Sequence, residues 1–325
     1  MRAIVMAAPG GPEVLTLGEW PDPQPAEGEL LVRVRATAVN RADTLQRRGA
    51  YPPPPDASPI LGLELAGEVA QPAGSWRAGD RVMAVVTGGG YAELATVPVG
   101  MAMRIPDHFS FEEAAAIPEV FLTAYLNLFT LGKLQPGETA LIHAGASGVG
   151  TAAIQLARAG GAQVIATAGT PEKVAFCSAL GAALAINYRQ DNFADRVLAF
   201  TAGRGVDVVL DFVGAPYWND NLRALAMHGR LMLIGMLGGA RGELDLGPIM
   251  SKRITVTGTT LRRTPLAQKV ALTQAFVKFA MPRFERGELC PIIDAVLPLR
   301  DAAEAHRRME ANRNIDKIVL RVDEG

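Results

Sequence analysis

The run Thr139-Ala-Leu-Ile-His-Ala-Gly-Ala-Ser-Gly-Val-Gly150 narrows the possible folds of this chain more than any other stretch. Thr139 to His143 is apolar and of strand length, and beyond it Val149, Ala153, Ile154 and Ala157 recur at helical spacing. Between them Gly145, Gly148 and Gly150 form a glycine turn. Strand, glycine turn and helix in that order are the context a dinucleotide fingerprint requires. Glycine lets the backbone bend and approach a pyrophosphate, while helix N–H groups and the helix dipole hold its charge. Gly145, Ser147, Gly148, Val149 and Gly150 are the candidate contacts. In a G-x-G-x-x-G pattern read from Gly145 the middle glycine is replaced by Ser147, which keeps the N–H and adds a hydroxyl, but needs a turn that tolerates a Cβ. An ordinary β–turn–α connection has the same local pattern, and it is the βα units downstream that favour a nucleotide site.

Those units follow in register. Strands are expected at Gln163–Thr167, Leu184–Asn187, Val206–Asp211, Arg230–Gly235 and Arg253–Gly258, with helices at Pro171–Leu180, Asn192–Phe200 and Tyr217–Ala226. Thr170 as N-cap and Pro171 at the first position mark a helix start. Regular strand–helix alternation implies a doubly wound parallel sheet.

The N-terminal region has a different texture. Ala3–Met6, Leu30–Ala38, Glu64–Ala70, Arg81–Val86 and Tyr91–Val97 are strand-length runs separated by Pro or Gly clusters, including a proline loop after Tyr51. Strands this short and frequent suggest a partly open barrel. Phe111–Ile117 and Val120–Leu131 read as helices, and the tail as helix Leu266–Glu285, strand Ala295–Pro298, helix Asp301–Glu310 and strand Lys317–Val322. The expected organisation is α/β: a β-rich domain of residues 1–121 and 262–325, with a Rossmann domain, 122–261, inserted.

With 325 residues, 49% of them hydrophobic, the chain can bury two sizeable cores. A formal net charge of -1 gives no global field for nucleic acid or anionic membrane, and the pairs Arg47-Arg48, Arg262-Arg263 and Arg307-Arg308 read as solvated surface. Two distant cysteines, Cys177 and Cys290, argue against a disulfide framework. The apolar start is too short for a signal peptide and no apolar run reaches membrane-spanning length, so a cytoplasmic protein without membrane or nucleic-acid partners is expected.

Several segments together resemble the medium-chain dehydrogenase/reductase superfamily, and more closely its zinc-free quinone oxidoreductase branch. They are Asn40-Arg-Ala-Asp43, Gly62-Leu-Glu-Leu-Ala-Gly67, Gly79-Asp-Arg-Val82, Gly90-Tyr-Ala-Glu93, Ala116-Ile-Pro-Glu119 with Thr123-Ala124, and His143 to Gly150. The start Asn40 to Asp43, the proline loop and the closing Met309-Glu-Ala-Asn-Arg-Asn look most like the tumour-suppressor-induced quinone oxidoreductase subgroup. The resemblance implies a GroES-like barrel beside the Rossmann domain. Zinc members carry a Cys near the place of Asn40 and a Gly-His-Glu where this chain has Gly62-Leu63-Glu64. Leu63 cannot ligate, and the four histidines lack ligand spacing, so no metal is expected. Without a Lewis acid the acceptor must itself spread the developing negative charge, as a quinone does as phenolate and a conjugated enone or enoyl thioester as enolate.

No acid stands at the end of the second Rossmann strand to receive a ribose 2′-OH. By resemblance, Gly169, Lys173 and Tyr188 hold a 2′-phosphate, with Thr170 beside them, and the cofactor is NADPH. Lys173 as a solvated helix lysine and Tyr188 as an edge aromatic are the plainer reading. Val213, Gly214, Gly235, Met236, Leu261 and Arg262 lie at or beyond strand ends, with the nicotinamide carboxamide near the latter segments. Thr123 and Asn40 are expected near the nicotinamide, and Asn312, Asn314 and Lys317 along the adenosine side. Tyr51 is the main candidate for orienting the quinone oxygen or relaying a proton. Asn40 and Asp43 are the other catalytic candidates, although a cap or ion pair is the favoured role for Asp43. Gln46 and Arg48 are expected to shape the pocket, and His143 and Cys177 to be core. The implied activity is NADPH-dependent quinone reduction, with enone or enoyl-thioester reduction as the alternative. The implied partner is a second copy, joined through the last Rossmann strand, Arg253–Gly258.

Overall fold

The computed structural model describes residues 1–323. In chain order the first strands and helices are β1 (Arg2–Val5), β2 (Thr16–Glu19), β3 (Glu29–Ala38), α1 (Arg41–Arg47), β4 (Glu64–Gln71), β5 (Arg81–Val85), β6 (Leu94–Pro98) and β7 (Met103–Arg104). Next come α2 (Phe111–Ala115), α3 (Pro118–Tyr125), β8 (Thr139–Ile142), α4 (Gly148–Ala159), β9 (Gln163–Ala168), α5 (Pro171–Leu180), β10 (Leu184–Asn187) and α6 (Phe193–Phe200). The last are β11 (Val206–Asp211), α7 (Trp218–Ala224), β12 (Leu225–Leu233), α8 (Gly247–Ser251), β13 (Thr255–Gly258), α9 (Leu266–Glu285), β14 (Ile293–Pro298), α10 (Ala302–Glu310) and β15 (Lys317–Arg321). Two compact units result. One comprises Met1–Leu122, Arg262–Glu285 and the chain from Cys290 onward, the other Thr123–Leu261 with Arg286–Leu289.

In the second unit six parallel strands run in the order β10-β9-β8-β11-β12-β13. Successive βα steps spread outward from β8, first to one side and then to the other, which is the doubly wound topology. β8 and β11 are buried along almost their whole length, as strands covered on both faces must be. A core of Leu141, Ile165, Ile186, Phe193, Val197, Val209, Leu222 and Leu231 fills one side. α5 begins where its sequence says it should: the Thr170 hydroxyl accepts the Lys173 N–H, Pro171 follows, and Gly181 at φ +106 ends the helix in the left-handed region.

In the first unit the main sheet has the order β14-β15-β3-β4-β5-β7, with β6 also on β3. β3 is the hub. It pairs with β6 through Glu29–Arg33, with β15 through Ala36–Ala38, and with β4 along its other edge. The register between β3 and β4 shifts between Val34 and Ala36. This bulge brings the Arg33 carbonyl so close to Gly67 that any Cβ there would collide with it.

The structure departs from the sequence expectations at several elements, of which four bear on the fold. α1 was not expected, because its inward residues Asp43, Thr44, Gln46 and Arg47 are polar and give no apolar period. β2 is mostly exposed and pairs only with β1, so it has no alternation to detect. α7 stops at Ala224, not Ala226, and β12 begins at once with a register break before Val208. The helical run Phe111–Leu131, whose last turn is π-helical, does have the length and apolarity of a membrane span, but 72% of that apolar window is buried inside the protein. That burial makes it a core segment.

Replacing Gly67 by Ala is expected to lower unfolding stability by about 2–4 kcal/mol, the range of a forced backbone shift in a packed sheet. Denaturant titration of the variant checks this, and a shift under 0.5 kcal/mol would contradict it.

Candidate functional site

In the second unit the carboxyl ends of β8 and β11 flank the switch point, where open α/β sheets bind ligands. After β8 the backbone passes through Ala144 at φ +49, an uncommon conformation for a residue with a Cβ. Ser147 then adopts φ -84 and ψ 165, and its hydroxyl oxygen accepts the Gly150 N–H at 3.2 Å. The serine is thus the N-cap of α4, a position with no conflict with a Cβ. Gly150 has no such freedom, since a Cβ there would strike the Ala144 carbonyl and Gly145. The N–H groups of Gly148 and Val149 lie in the first helical turn, where a helix offers no acceptor of its own.

A buried polar chain supports this turn. Asn221 Nδ2 donates to Asp211 Oδ2 at 3.0 Å, so its Oδ1 receives the His143 Nε2–H at 2.7 Å. His143 Nδ1 is left to accept the Thr167 hydroxyl at 3.0 Å. Burial pushes His143 down to about 4, which keeps the ring neutral, and pushes Asp211 up to about 6 against the pull of its hydrogen bonds. Asp211 in turn accepts from the Val213 N–H at 2.7 Å and the Gly214 N–H at 3.2 Å, fixing the loop after β11. The sequence reading placed His143 in the core but missed Thr167, Asp211 and Asn221, which match no motif.

At the ends of β9 and β10, Gly169, Thr170, Lys173 and Tyr188 come together. The Tyr188 hydroxyl stands 2.6 Å from where a Cβ on residue 169 would lie, so the glycine makes room for the ring. Lys173 is half-buried at the third position of α5, whereas Glu172 is exposed. Gly235 donates its N–H to the Asp211 carbonyl at 3.3 Å, and Met236 beside it is 62% exposed. The Thr123 carbonyl accepts from Asn127, whose Oδ1 accepts the Thr259 hydroxyl at 3.0 Å. Leu261 is buried.

In the first unit a polar knot lies at the end of β3. Glu64, fully buried, takes the Lys317 ammonium at 2.6 Å and Asn40 Nδ2 at 2.8 Å on one oxygen, and the Glu119 N–H at 2.8 Å on the other. Lys317 also donates to Asn40 Oδ1 at 3.0 Å and to the Val39 carbonyl at 3.3 Å. Asn40 therefore has both ends of its amide held. Asp43 accepts the N–H groups of Asn40 at 2.7 Å and Gly62 at 3.2 Å, and burial raises it to about 6. Behind it the Tyr91 hydroxyl donates to Asp43 at 3.4 Å and receives His306 Nε2–H at 3.2 Å, while Arg47 donates to His306 Nδ1 at 3.3 Å. His306, pushed down to about 3 by burial and by Arg47, is neutral.

Beside the knot stands Tyr51, half-buried, with the Arg262 guanidinium 5.4 Å and the Arg263 guanidinium 5.9 Å from its ring centre. Desolvation raises the Tyr51 hydroxyl, and Arg262 partly offsets it. Arg262 is only 5% exposed. Its Nε donates to the Thr87 carbonyl at 2.9 Å, and its Nη1 and Nη2 are buried without a hydrogen-bond partner. Glu119 is half-buried as a residue, yet its carboxyl is raised to about 8, first by desolvation and then by Glu64, with Lys317, Arg262 and Asp43 as lesser influences.

Several expectations change. Asp43 has no exposed surface and caps α1, the structural role favoured for it from the sequence. Lys317, expected along an adenosine, is buried against Glu64. Arg47 and Arg262 are interior residues, so two of the three basic pairs are not simply solvated surface. Gln46 is buried and donates to the Pro59 carbonyl at 3.3 Å, whereas Arg48 is 55% exposed and pairs with Glu310. Leu63 is buried, and among the described residues no grouping of His, Cys, Asp and Glu could hold a metal ion.

Residues 26–107 match the family described as "Alcohol dehydrogenase GroES-like domain", and residues 148–276 the one described as "Zinc-binding dehydrogenase". The chain is 37% identical to the quinone oxidoreductase of Pseudomonas aeruginosa, over 98% of this chain and 99% of that one. The solved structure of Escherichia coli quinone oxidoreductase complexed with NADPH is similar at a TM-score of 0.87 and 32% identity, covering 99% of this chain and 100% of that one. A structure titled NAD-dependent alcohol dehydrogenase is similar at 0.88 and 34%, with 99% and 100% covered.

The Glu119 carboxyl generates a stability prediction. Its folded value of about 8 exceeds the ordinary 4.5, so the folded protein keeps a proton that the unfolded chain has released. Stability from this group is complete at low pH and is lost as pH rises through about 8. Glu119→Gln, which stays neutral, is expected to gain thermal stability relative to the parent progressively from pH 5 to pH 8.5. A difference in melting temperature that stays flat across that range would contradict the assignment.

Proposed function

Because the chain belongs to the quinone oxidoreductase family of medium-chain dehydrogenases/reductases, we propose that it is an NADPH-dependent quinone reductase that works without a metal. The observation that carries the cofactor choice is the grouping of Gly169, Thr170, Lys173 and Tyr188 at the ends of β9 and β10, with no carboxylate at the end of β9. Lys173 and the Tyr188 hydroxyl are suited to a ribose 2′-phosphate, and a 2′-OH would find no acid there. Ser147, Gly148, Val149 and Gly150 fit the pyrophosphate at the start of α4, with Gly145 opening the turn. Val213, Gly214, Gly235, Met236, Leu261 and Thr123 are the proposed border of the nicotinamide end.

NADPH, when bound, supplies a hydride. The chain's own groups then bind and orient the acceptor and manage the charge that develops on it. Asn40 is held rigid by Glu64 and Lys317, so its amide is a fixed part of the first unit's polar site. Tyr51 offers a hydroxyl to the acceptor oxygen and keeps its proton at neutral pH. With Leu63 an alkyl side chain buried just before β4 and Asn40 held in its knot, neither is available as a ligand, and an acceptor that delocalises its own charge suits such a site. Quinones fit best, and conjugated enones and enoyl thioesters share the chemistry.

A cytoplasmic homodimer completes the reading. β13 is hydrogen-bonded on one edge only, to β12, and the apolar side chains of Met227 and Met250 are 58% and 84% exposed in the same unit. Pairing of β13 with its copy would satisfy the open edge.

Chelator-treated protein is expected to reduce a quinone rapidly with NADPH and slowly with NADH as donor. Turnover restricted to crotonyl-coenzyme A would move the activity to the enoyl-thioester class. Lys173→Ala is expected to reduce the preference for NADPH over NADH by roughly tenfold, the worth of one charge-assisted hydrogen bond of about 1.5 kcal/mol. An unchanged preference would contradict the cofactor assignment. Val256→Pro, which removes a donor from β13, is expected to yield a monomer by light scattering, and a persistent dimer would exclude this edge.

A further inference from the structure

Arg262 presents an unresolved balance of donors. A guanidinium carries five N–H bonds, and here only Nε–H has an acceptor, the Thr87 carbonyl at 2.9 Å. Nη1 and Nη2 are buried and unpartnered, in a residue 5% exposed. Leaving charged donors unpaired in the interior is costly unless something accepts from them during function. The guanidinium carbon lies 5.4 Å from the centre of the Tyr51 ring. Two more cations stand in the same unit: Arg263 near the same ring, and Lys269, 7% exposed, whose charge is disfavoured by burial and supported by Glu119. The nearby acid, Glu119, is itself held towards its neutral form. Asp43 and Glu119 support the Arg262 charge through space, yet no carboxylate accepts from its two planar donors.

We propose that Nη1 and Nη2 of Arg262 grip the acceptor oxygen that becomes anionic on reduction, with the Tyr51 ring stacked against the guanidinium as an aromatic wall. This rests on the reading of the chain as a reductase of conjugated carbonyls, and it reassigns Arg262 from the nicotinamide to the acceptor. The step balances simply. The hydride would come from the nicotinamide C4–H bond, leaving NADP⁺, and would bond to one carbonyl oxygen of a quinone or to the β-carbon of an enone. The conjugated electrons shift so that the remaining C=O becomes C–O⁻ beside Arg262, and a proton from solvent or from the Tyr51 hydroxyl, itself then reprotonated by solvent, gives the neutral product. A fork of two N–H donors suits a phenolate or enolate oxygen better than the ground-state carbonyl, so its contribution grows along the reaction. The bound ligand class is then a planar aromatic or enolic oxyanion.

The probe is 4-nitrophenol, whose phenolate absorbs visibly and mimics the reduced oxygen. On the parent protein the bound phenol is expected to ionise about one pH unit or more below the free compound, as a neighbouring cation requires. Arg262→Met is expected to abolish that displacement and to lower kcat/KM for quinone at saturating NADPH by about 100-fold, as for loss of one oxyanion donor. Arg262→Lys should restore part of both. NADPH affinity, followed by its fluorescence without acceptor, should change less than twofold. A tenfold loss of NADPH affinity in Arg262→Met with the phenol displacement intact would make Arg262 a cofactor ligand and overturn the proposal, as would the absence of any displacement on the parent protein. A displacement that needs Arg262, in a protein that reduces no quinone, would support the oxyanion site and sink the quinone reading instead.

Discussion

The ion pair between Glu64 and Lys317 holds the first unit's candidate site in place. Two opposite charges at 2.6 Å, both essentially buried, recover their desolvation only if the remaining donors and acceptors are satisfied. They are. Lys317 fills its other donor directions with Val39 and Asn40, and Glu64 fills its second oxygen with the Glu119 backbone. One pair thereby ties β15 to β4, to the turn after β3 and to the start of α3. Asn40, Glu119 and, through Asp43, the Gly62 turn take their positions from it. The Lys317 ammonium is the cation of this neighbourhood, and it is fully engaged.

The second unit uses a neutral device to the same end. Asp211, Asn221, His143 and Thr167 form a chain in which each donor has one acceptor, and it anchors the loops after β8 and β11 where the strand order reverses. Burial keeps His143 neutral, so this support does not change with pH in the physiological range. A glycine turn alone would leave these loops free to move. The polar chain beneath fixes Val213 and Gly214 at the carboxyl end of the sheet.

Much of this was legible in the sequence. The parallel sheet announces itself through apolar runs such as Val206–Asp211 and caps such as Thr170-Pro171, because strands buried on both faces and helix termini leave local marks. The elements not foreseen are those stabilised by distant partners. α1 turns polar residues inward, where Tyr91, His306 and Glu310 meet them from far along the chain. The site was readable only in part for the same reason. Gly169, Lys173 and Tyr188 lie at the ends of neighbouring strands and are marked by local sequence, whereas the burial of Arg262 and Lys317 depends on partners from other segments that no local pattern announces. Basic pairs are usually solvated, and only the fold reveals which arginine of a pair turns inward.

These features fit the proposed reading of a reductase that relies on orientation and a few fixed charges, with the acceptor delocalising what develops on it. The central claim is direct hydride transfer from NADPH to such an acceptor. It is tested most directly by single-turnover quinone reduction with NADPH deuterated at either face of nicotinamide C4, in chelator-treated protein. The account predicts a primary isotope effect from one face only, with a rate indifferent to added zinc. Equal rates for all isotopologues, or a rate restored only by metal, would contradict it.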